Sequence, residues 1–483
     1  MLPKSLKYGS KVESVMCRSY RSNIAPMNGT GIYNGGDTIT INIPTRNNLV
    51  LAPSESYLKF SLQLKNGATA ANFMRWDSGG AHGIIQRIRV FHGSNLLSDI
   101  DNYNLLAKMM FDISVPTDAA YGKYNVISGT RNDLVVKLAD MAAGTTYVQN
   151  DTQLIDNMGF SAYQINSGDL IGSNIGANAL TTTQTYCLNL VSLVGTLCSQ
   201  NYIPLYAMTS APLRIEIILV DSIIKACACS TAPDLTTGAI SITNCEYVAQ
   251  FMELSDDAIS MISSSLGGDK LQFVVPDYRN YSYSGITINA SGTNTQTQTQ
   301  FPIPAKFSSL KSLFITCRDM GMGKTACFPH SCITNGLVDY QFRIGSILAP
   351  LKAPNSNPEM FCELLKSISS LSDLNHHPSI EKSSYSQIMS ATYISELATA
   401  AGTGVSNINS GSFYVGLDLE NYAGSDRSQI FTGYNSNTDD IYFVGNYNIT
   451  ITGNATAYNP RFDAFACFDS VIIFENNTAY IVF

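Results

Sequence analysis

Three short patterns occur twice in this chain, in the same order and at almost the same spacing. Leu58-Lys59 returns as Leu310-Lys311, and Gln86-Arg87-Ile88-Arg89-Val90 returns as Tyr340-Gln341-Phe342-Arg343-Ile344. A helix-like stretch after Asn102 returns after Asn357. The separations are 252 (Leu58 to Leu310), 254 (Arg89 to Arg343) and 255 residues (Asn102 to Asn357), about half of the 483-residue chain. A fixed internal period marks a repeated structural unit, so the two halves are expected to share one fold.

The repeated unit is built of strands. Thr38-Ile39-Thr40-Ile41-Asn42-Ile43 alternates polar and apolar residues with period two, as a half-buried strand does. Residues 57–64, 213–217 and 413–419 follow the same pattern, and Asn28-Gly29, Asn66-Gly67, Gly79-Gly80 and Asn335-Gly336 supply turns. Helical periodicity is confined to a few places. One is 101–112, with Leu105, Leu106, Met109 and Met110 on one face behind an Asp101 or Asn102 cap; another is 358–371, with Asn357 as cap and Pro358 in the first turn; 251–265 is a third, short candidate. About eight strands and one inserted helix per half fit a jelly roll, whose Greek-key winding limits exposed strand edges. The expected fold is all-β: two tandem eight-stranded jelly-roll β-sandwiches, each with a short inserted helix. The expected boundaries are an N-terminal arm at 1–29, a first jelly roll at 30–225, a linker at 226–269 and a second jelly roll at 270–483. Polar stretches at 290–300 and 400–411 read as long loops.

Composition narrows the function. Hydrophobic residues make up 45%, enough for a large core, while only 14% are charged, against roughly 25% in ordinary soluble domains. A surface of uncharged polar groups is easily desolvated and favours packing against other subunits. The net charge is −8 and no basic run is present, which argues against sequence-specific nucleic-acid binding. Met1-Leu2-Pro3-Lys4-Ser5 opens no secretory signal, and no apolar run is long enough for a transmembrane segment. Eleven cysteines at irregular spacing then read as reduced thiols, and sequons such as Asn289-Ala290-Ser291 and Asn454-Ala455-Thr456 read as unmodified.

Catalytic constellations are expected to be absent. Gly321-Met322-Gly323-Lys324-Thr325 ends like a phosphate-binding loop, but the glycine needed at position 318 is Arg. Cys327, His330 and Cys332 cluster without a second ligand pair, as do Cys227 and Cys229, so zinc is not expected. His376-His377 stands without a carboxylate or cysteine at ligand spacing. Asp99, Asp101 and Asp118 near the first helix are of a kind that can bind a cation, but helix capping explains Asp101 more simply. Trp76 fits an interface anchor and core packing equally. The reading is a non-enzyme with no catalytic, cofactor-binding or metal residues and no cofactor.

Three stretches carry a family resemblance: Ile84 to Leu97 running into Asp99-Ile100-Asp101-Asn102-Tyr103-Asn104; Tyr202-Ile203-Pro204-Leu205 with Ala211 to Ile217; and Phe462 to Phe474. Together they resemble the double jelly-roll major capsid proteins of eukaryotic double-stranded DNA viruses, which include virophages, polinton-like and adinto-like viruses, large nucleocytoplasmic viruses and the adenovirus hexon. The resemblance covers most of the chain in order, through strand patterns. It implies a homotrimer with a pseudo-hexameric outline that tiles an icosahedral shell beside neighbouring capsomers, penton and minor capsid proteins, located in the virion after assembly inside the host cell. The alternatives are a carbohydrate-binding β-sandwich protein and a minor capsid or spike protein. The terminal Thr478 to Phe483 is apolar and strand-like, and is expected to pair within the second sandwich or against a neighbouring subunit.

Overall fold

The structure is a computed structural model that describes residues 17–29, 31–65, 74–130, 183–229, 239–265, 270–284, 296–319, 329–369, 371–372, 378–387, 411–420, 433–448 and 460–483. In the first half the principal strands are β1 (Cys17–Ile24), β2 (Thr38–Ile43), β3 (Tyr57–Lys65), β4 (Ile85–His92), β5 (Asn95–Asp101), β6 (Thr183–Leu188), β7 (Leu213–Leu219) and β8 (Ala239–Leu254). In the second half they are β9 (Leu271–Tyr283), β10 (Gln296–Ile303), β11 (Leu310–Asp319), β12 (Leu337–Ile344), β13 (Ile347–Ala349), β14 (Val415–Asp418), β15 (Ile441–Asn448) and β16 (Pro460–Glu475), with β17 (Thr478–Val482) added.

The principal strands of the two halves pair in the same order. The first has a large sheet in the order β1-β8-β3-β6 and a small one in the order β2-β7-β4-β5. The second has β9-β16-β11-β14 and β10-β15-β12-β13. Every strand n corresponds to strand n + 8, which is the jelly-roll winding repeated. Helix α1 (Tyr103–Ser114) follows β5, and its counterpart follows β13. Between them in sequence come α2 (Thr117–Tyr121), α3 (Lys123–Ser128) and α4 (Asp256–Ser265); the counterpart is therefore α5 (Asn357–Lys366).

The alternating strands behave as their patterns require. Ile39, Ile41 and Ile43 of β2 and Leu213, Ile215 and Ile217 of β7 point inward together. The second core is aromatic: Phe301, Phe443, Phe462, Tyr340 and Phe342 form a chain of ring contacts. No helix among the described residues is long and apolar enough to cross a membrane.

Two expected boundaries are corrected. Residues 226–269 are no simple linker, because β8 is the strand between β1 and β3 in the first large sheet. Residues 17–24 of the expected arm are β1, paired along β8. The reason β8 does not read as a strand is a bulge. Register shifts between Thr243 and Glu246, where Asn244 takes a left-handed conformation. Before the bulge Ile240 and Ile242 point inward; after it Cys245, Tyr247, Ala249 and Phe251 do. One extra residue therefore inverts the parity of the pattern. The helix expected at 251–265 begins only after this strand, at Asp256.

The helix caps differ as well. Asn102 adopts φ 47° and makes no capping bond, and Ser356 rather than Asn357 occupies the cap position of α5. The strand expected at 413–419 is shorter, Val415–Asp418.

Candidate functional site: a polar seam between the sandwiches

The edge strand β5 and helix α1 of the first sandwich lie against β9, β17 and the segment around Ser412–Tyr414 of the second. At the centre is Lys108, 1% exposed. Its Nζ donates to Asp112 Oδ2 at 2.7 Å and to Ser412 Oγ at 3.1 Å, and lies 3.9 Å from Asp77 Oδ1. Tyr414 donates its hydroxyl to Asp112 Oδ2 at 2.9 Å. Burial pushes the Lys108 pKa down, but Asp112 and Asp77 outweigh it and hold it above its ordinary value. The sequence builds this locally. Lys108 and Asp112 are one helical turn apart on α1, and the Gly79-Gly80 turn brings Asp77 beside them. Gly80 has φ +59°, and a Cβ there would stand 2.2 Å from the Ser128 carbonyl oxygen, so glycine is required.

A second group surrounds Asp463 of β16. Arg318 donates to its Oδ2 through Nε at 2.9 Å and Nη2 at 2.6 Å, and Arg461 Nε donates to Oδ1 at 3.3 Å. Burial pushes this carboxyl up, yet the two guanidinium groups and Ser282 hold it below the ordinary carboxylate range. Ser282 links the group to the first sandwich: Asn102 Nδ2 donates to Asn280 Oδ1 at 2.7 Å and to Ser282 Oγ at 3.0 Å. The left-handed turn at Asn102 thus aims its amide across the seam instead of at the helix.

Two further contacts complete the seam. Ser98 donates to Asp277 Oδ1 at 3.2 Å. Burial pushes Asp277 up to about 7, against the pull of the Tyr278 N–H, the Ser98 hydroxyl and Arg279. On β17, the Ala479 N–H donates to His92 Nδ1 at 3.0 Å, and Asn95 Nδ2 donates to the Ala479 carbonyl at 3.0 Å. His92 Nδ1 accepts, so Nε2 carries the proton and donates to the Met208 carbonyl. The terminal strand pairs with β16 and also grips the first sandwich.

These groups hold; they are not arranged to react. Cys332 lies near Lys108, but burial raises its thiol pKa despite that cation, so it is not poised as a thiolate. His330 is buried, and burial lowers its pKa to about 4. Among the described residues no group of three or more His, Cys, Asp and Glu side chains has metal-binding geometry. Cys227 is buried; the Cys229 side chain, Cys327, Gly321–Thr325 and His376-His377 lie outside the described residues. Asp99 pairs with Arg87 at 2.6 and 2.7 Å. Asp101 ends β5 without capping α1. Trp76 is core, its Nε1 donating to the Tyr186 hydroxyl at 3.0 Å. Sequence reasoning missed Lys108, Asp112, Arg318 and Asp463. The usable signal was two opposite charges one turn apart on an otherwise apolar helix.

No family profile and no curated protein sequence matches the chain. Solved structures match its fold from end to end. VP54 of PBCV-1, from the crystal structure fitted into a cryo-EM reconstruction of the virophage Sputnik, superposes with TM-score 0.58 at 8% identity, covering 99% of each chain. A chain of the Sputnik virophage structure gives 0.58 at 10% identity, covering 100% of this chain and 92% of its own. The mavirus major capsid protein gives 0.54 at 11%, covering 100% and 93%. With both sandwiches, their winding and their order matched along the whole length, the chain has the double jelly-roll fold found in the mavirus major capsid protein.

Proposed function

We propose that this chain is a major capsid protein: a structural subunit without catalytic activity that forms homotrimers of pseudo-hexagonal outline. The trimers tile an icosahedral virus shell and meet neighbouring capsomers, penton and minor capsid proteins in the virion. The fold shared end to end with the mavirus major capsid protein supports the capsid role. The assembling units are the sandwich built from residues up to 254 and the one built from 271 onward.

The observation that carries the trimer is an asymmetry in the repeat. Within the chain, β5 of the first sandwich is covered by β9 of the second. The counterpart of β5 is β13, and Ile347 on it is 59% exposed, with Leu351 just beyond at 88%. The counterpart of β9 is β1, whose residues are exposed or half-buried throughout. Each chain therefore presents one unused copy of either side of its own seam. Joining β13 of one subunit to β1 of the next repeats the internal contact head to tail. Such a heterologous contact closes into a ring when the rotation allows, and three two-sandwich subunits give six similar corners. The interface belongs to the obligate class, above about 2,000 Å².

The test is Leu348→Asp, with Ile347→Asp as a second variant, on the exposed edge strand. Light scattering should give three times the 52.4 kDa chain mass for the unmodified protein and the single chain mass for each variant, with unchanged circular dichroism. Trimers that persist in both variants would place the interface elsewhere; an unmodified protein that is a folded monomer at micromolar concentration would remove the trimer altogether.

A further inference from the structure

Beneath α1 and α3 the first sandwich contains a cavity of about 600 Å³, within the size range of small-molecule sites. Its wall is mainly apolar, with Met110, Phe111, Val115, Ile127 and Val191 among its residues. The seam does not use it. Three hydroxyls on the wall are committed, and Asn189 Oδ1 is a buried acceptor without a partner among the described residues. Ser56, Ser128 and Thr196 each donate to a backbone carbonyl of their own neighbourhood.

His82 is different. It lines the cavity and is 1% exposed. Its Nδ1 lies 2.8 Å from the Tyr103 hydroxyl. That hydroxyl accepts the Val191 N–H at 3.0 Å, so its own proton is directed to His82 Nδ1. The ring is then the tautomer protonated at Nε2, and no hydrogen-bond partner meets Nε2 among the described residues. Burial lowers the His82 pKa to about 3, which keeps the ring neutral. A largely apolar chamber is thus lined by one neutral imidazole with its N–H at Nε2 and by one unpartnered acceptor, Asn189 Oδ1. Lys123 stands at the exposed mouth, its Nζ 5.1 Å from the Tyr124 ring centre.

We propose that this cavity binds an uncharged, largely apolar small molecule carrying one hydrogen-bond acceptor, of the ketone or ester kind, with the acceptor on His82 Nε2. An acceptor on an apolar body meets the His82 donor and lies against the apolar wall. A carboxylate would bring a full charge to a neutral imidazole and suits the chamber less well.

Three probes that share a shape test this by calorimetric titration of the full-length assembled protein: 4-bromoacetophenone, 4-bromoethylbenzene and 4-bromobenzoate. The ketone should bind at least tenfold more tightly than the hydrocarbon, and the benzoate more weakly than the ketone. His82→Phe should erase the preference of ketone over hydrocarbon. Ser114→Trp, at the exposed rim, should abolish binding of both without depending on the buried histidine. The proposal is overturned by absence of binding, by equal affinity for ketone and hydrocarbon, by tightest binding of the benzoate, by a ketone preference that survives His82→Phe, or by binding unaltered in Ser114→Trp.

Discussion

Lys108 carries a full positive charge into a place without water, and it is tolerable there only while Asp77, Asp112, Ser412 and Tyr414 all stay in position. Removing one partner of a buried ion pair strands the other, typically at a cost of about 3–5 kcal/mol. Lys108→Ala should therefore lower the unfolding free energy by an amount in that range, measured by denaturant titration, whereas Lys225→Ala, at a half-exposed pair, should change it by less than about 1 kcal/mol. Asp277 makes a different prediction. Its folded pKa of about 7 lies above the ordinary 3.8, so the native state holds a proton that the unfolded state has lost between those values. Its contribution to stability is complete below about pH 4 and declines as pH rises to about 7. His82 and His330, with lowered pKa values, act in the opposite sense, destabilising the fold as pH falls below 6.5. Asp277→Asn isolates the first effect: its gain in melting temperature over the unmodified protein should be larger at pH 8 than at pH 4. Equal gains at both pH values would mean that the Asp277 carboxyl is already ionised in the seam at pH 4.

Among the elements, β17 shows how much one short strand can join. It extends the second large sheet along β16, takes the His92 and Asn95 contacts from the first sandwich, and ends with Phe483 edge-on to Phe307 and Phe468 with Arg279 over the ring. Deleting Tyr480 to Phe483 removes ladder bonds to β16 and the half-buried faces of Tyr480 and Ile481, whereas Val482 and Phe483 are 49% and 44% exposed and contribute only part of a buried side chain's worth. The yield of folded protein should fall sharply and the melting temperature should drop; unchanged values would show that the second sandwich does not need its last four residues. Elements of this kind were legible where one face alone is buried, as in β2, β3 and β7, because burial then writes a period of two into the residues. Legibility failed at β8, where a bulge inverts the parity; β16, buried on both faces from Ala464 to Ser470 and so without alternation, was read as a strand through the family resemblance carried by Phe462 to Phe474. The helices after Asn102 and Asn357 were found, though the second ends at Lys366, and the third begins only at Asp256; the capping bond expected at Asn102 is absent, since Asn102 serves the seam instead of α1.

For the whole molecule the repeat was the informative signal, since a constant spacing is independent of how any single strand is assigned. The seam left little trace in the sequence, because Asn102, Asp277, Arg318 and Asp463 meet only when two distant stretches of chain dock. The winding that pairs β1 with β8 has a consequence for biosynthesis. The strand β3 ends at Lys65 and β8 ends at Leu254, so roughly 190 residues must be made before the first large sheet can close. At about 5–20 residues per second, the edges of β1 and β3 wait unpaired on the ribosome for roughly 10–40 s. Non-local pairing of this kind folds slowly and leaves strand edges open to aggregation. Recombinant yield should therefore respond more to translation rate and to chaperones that shield nascent strands than to changes on the finished surface.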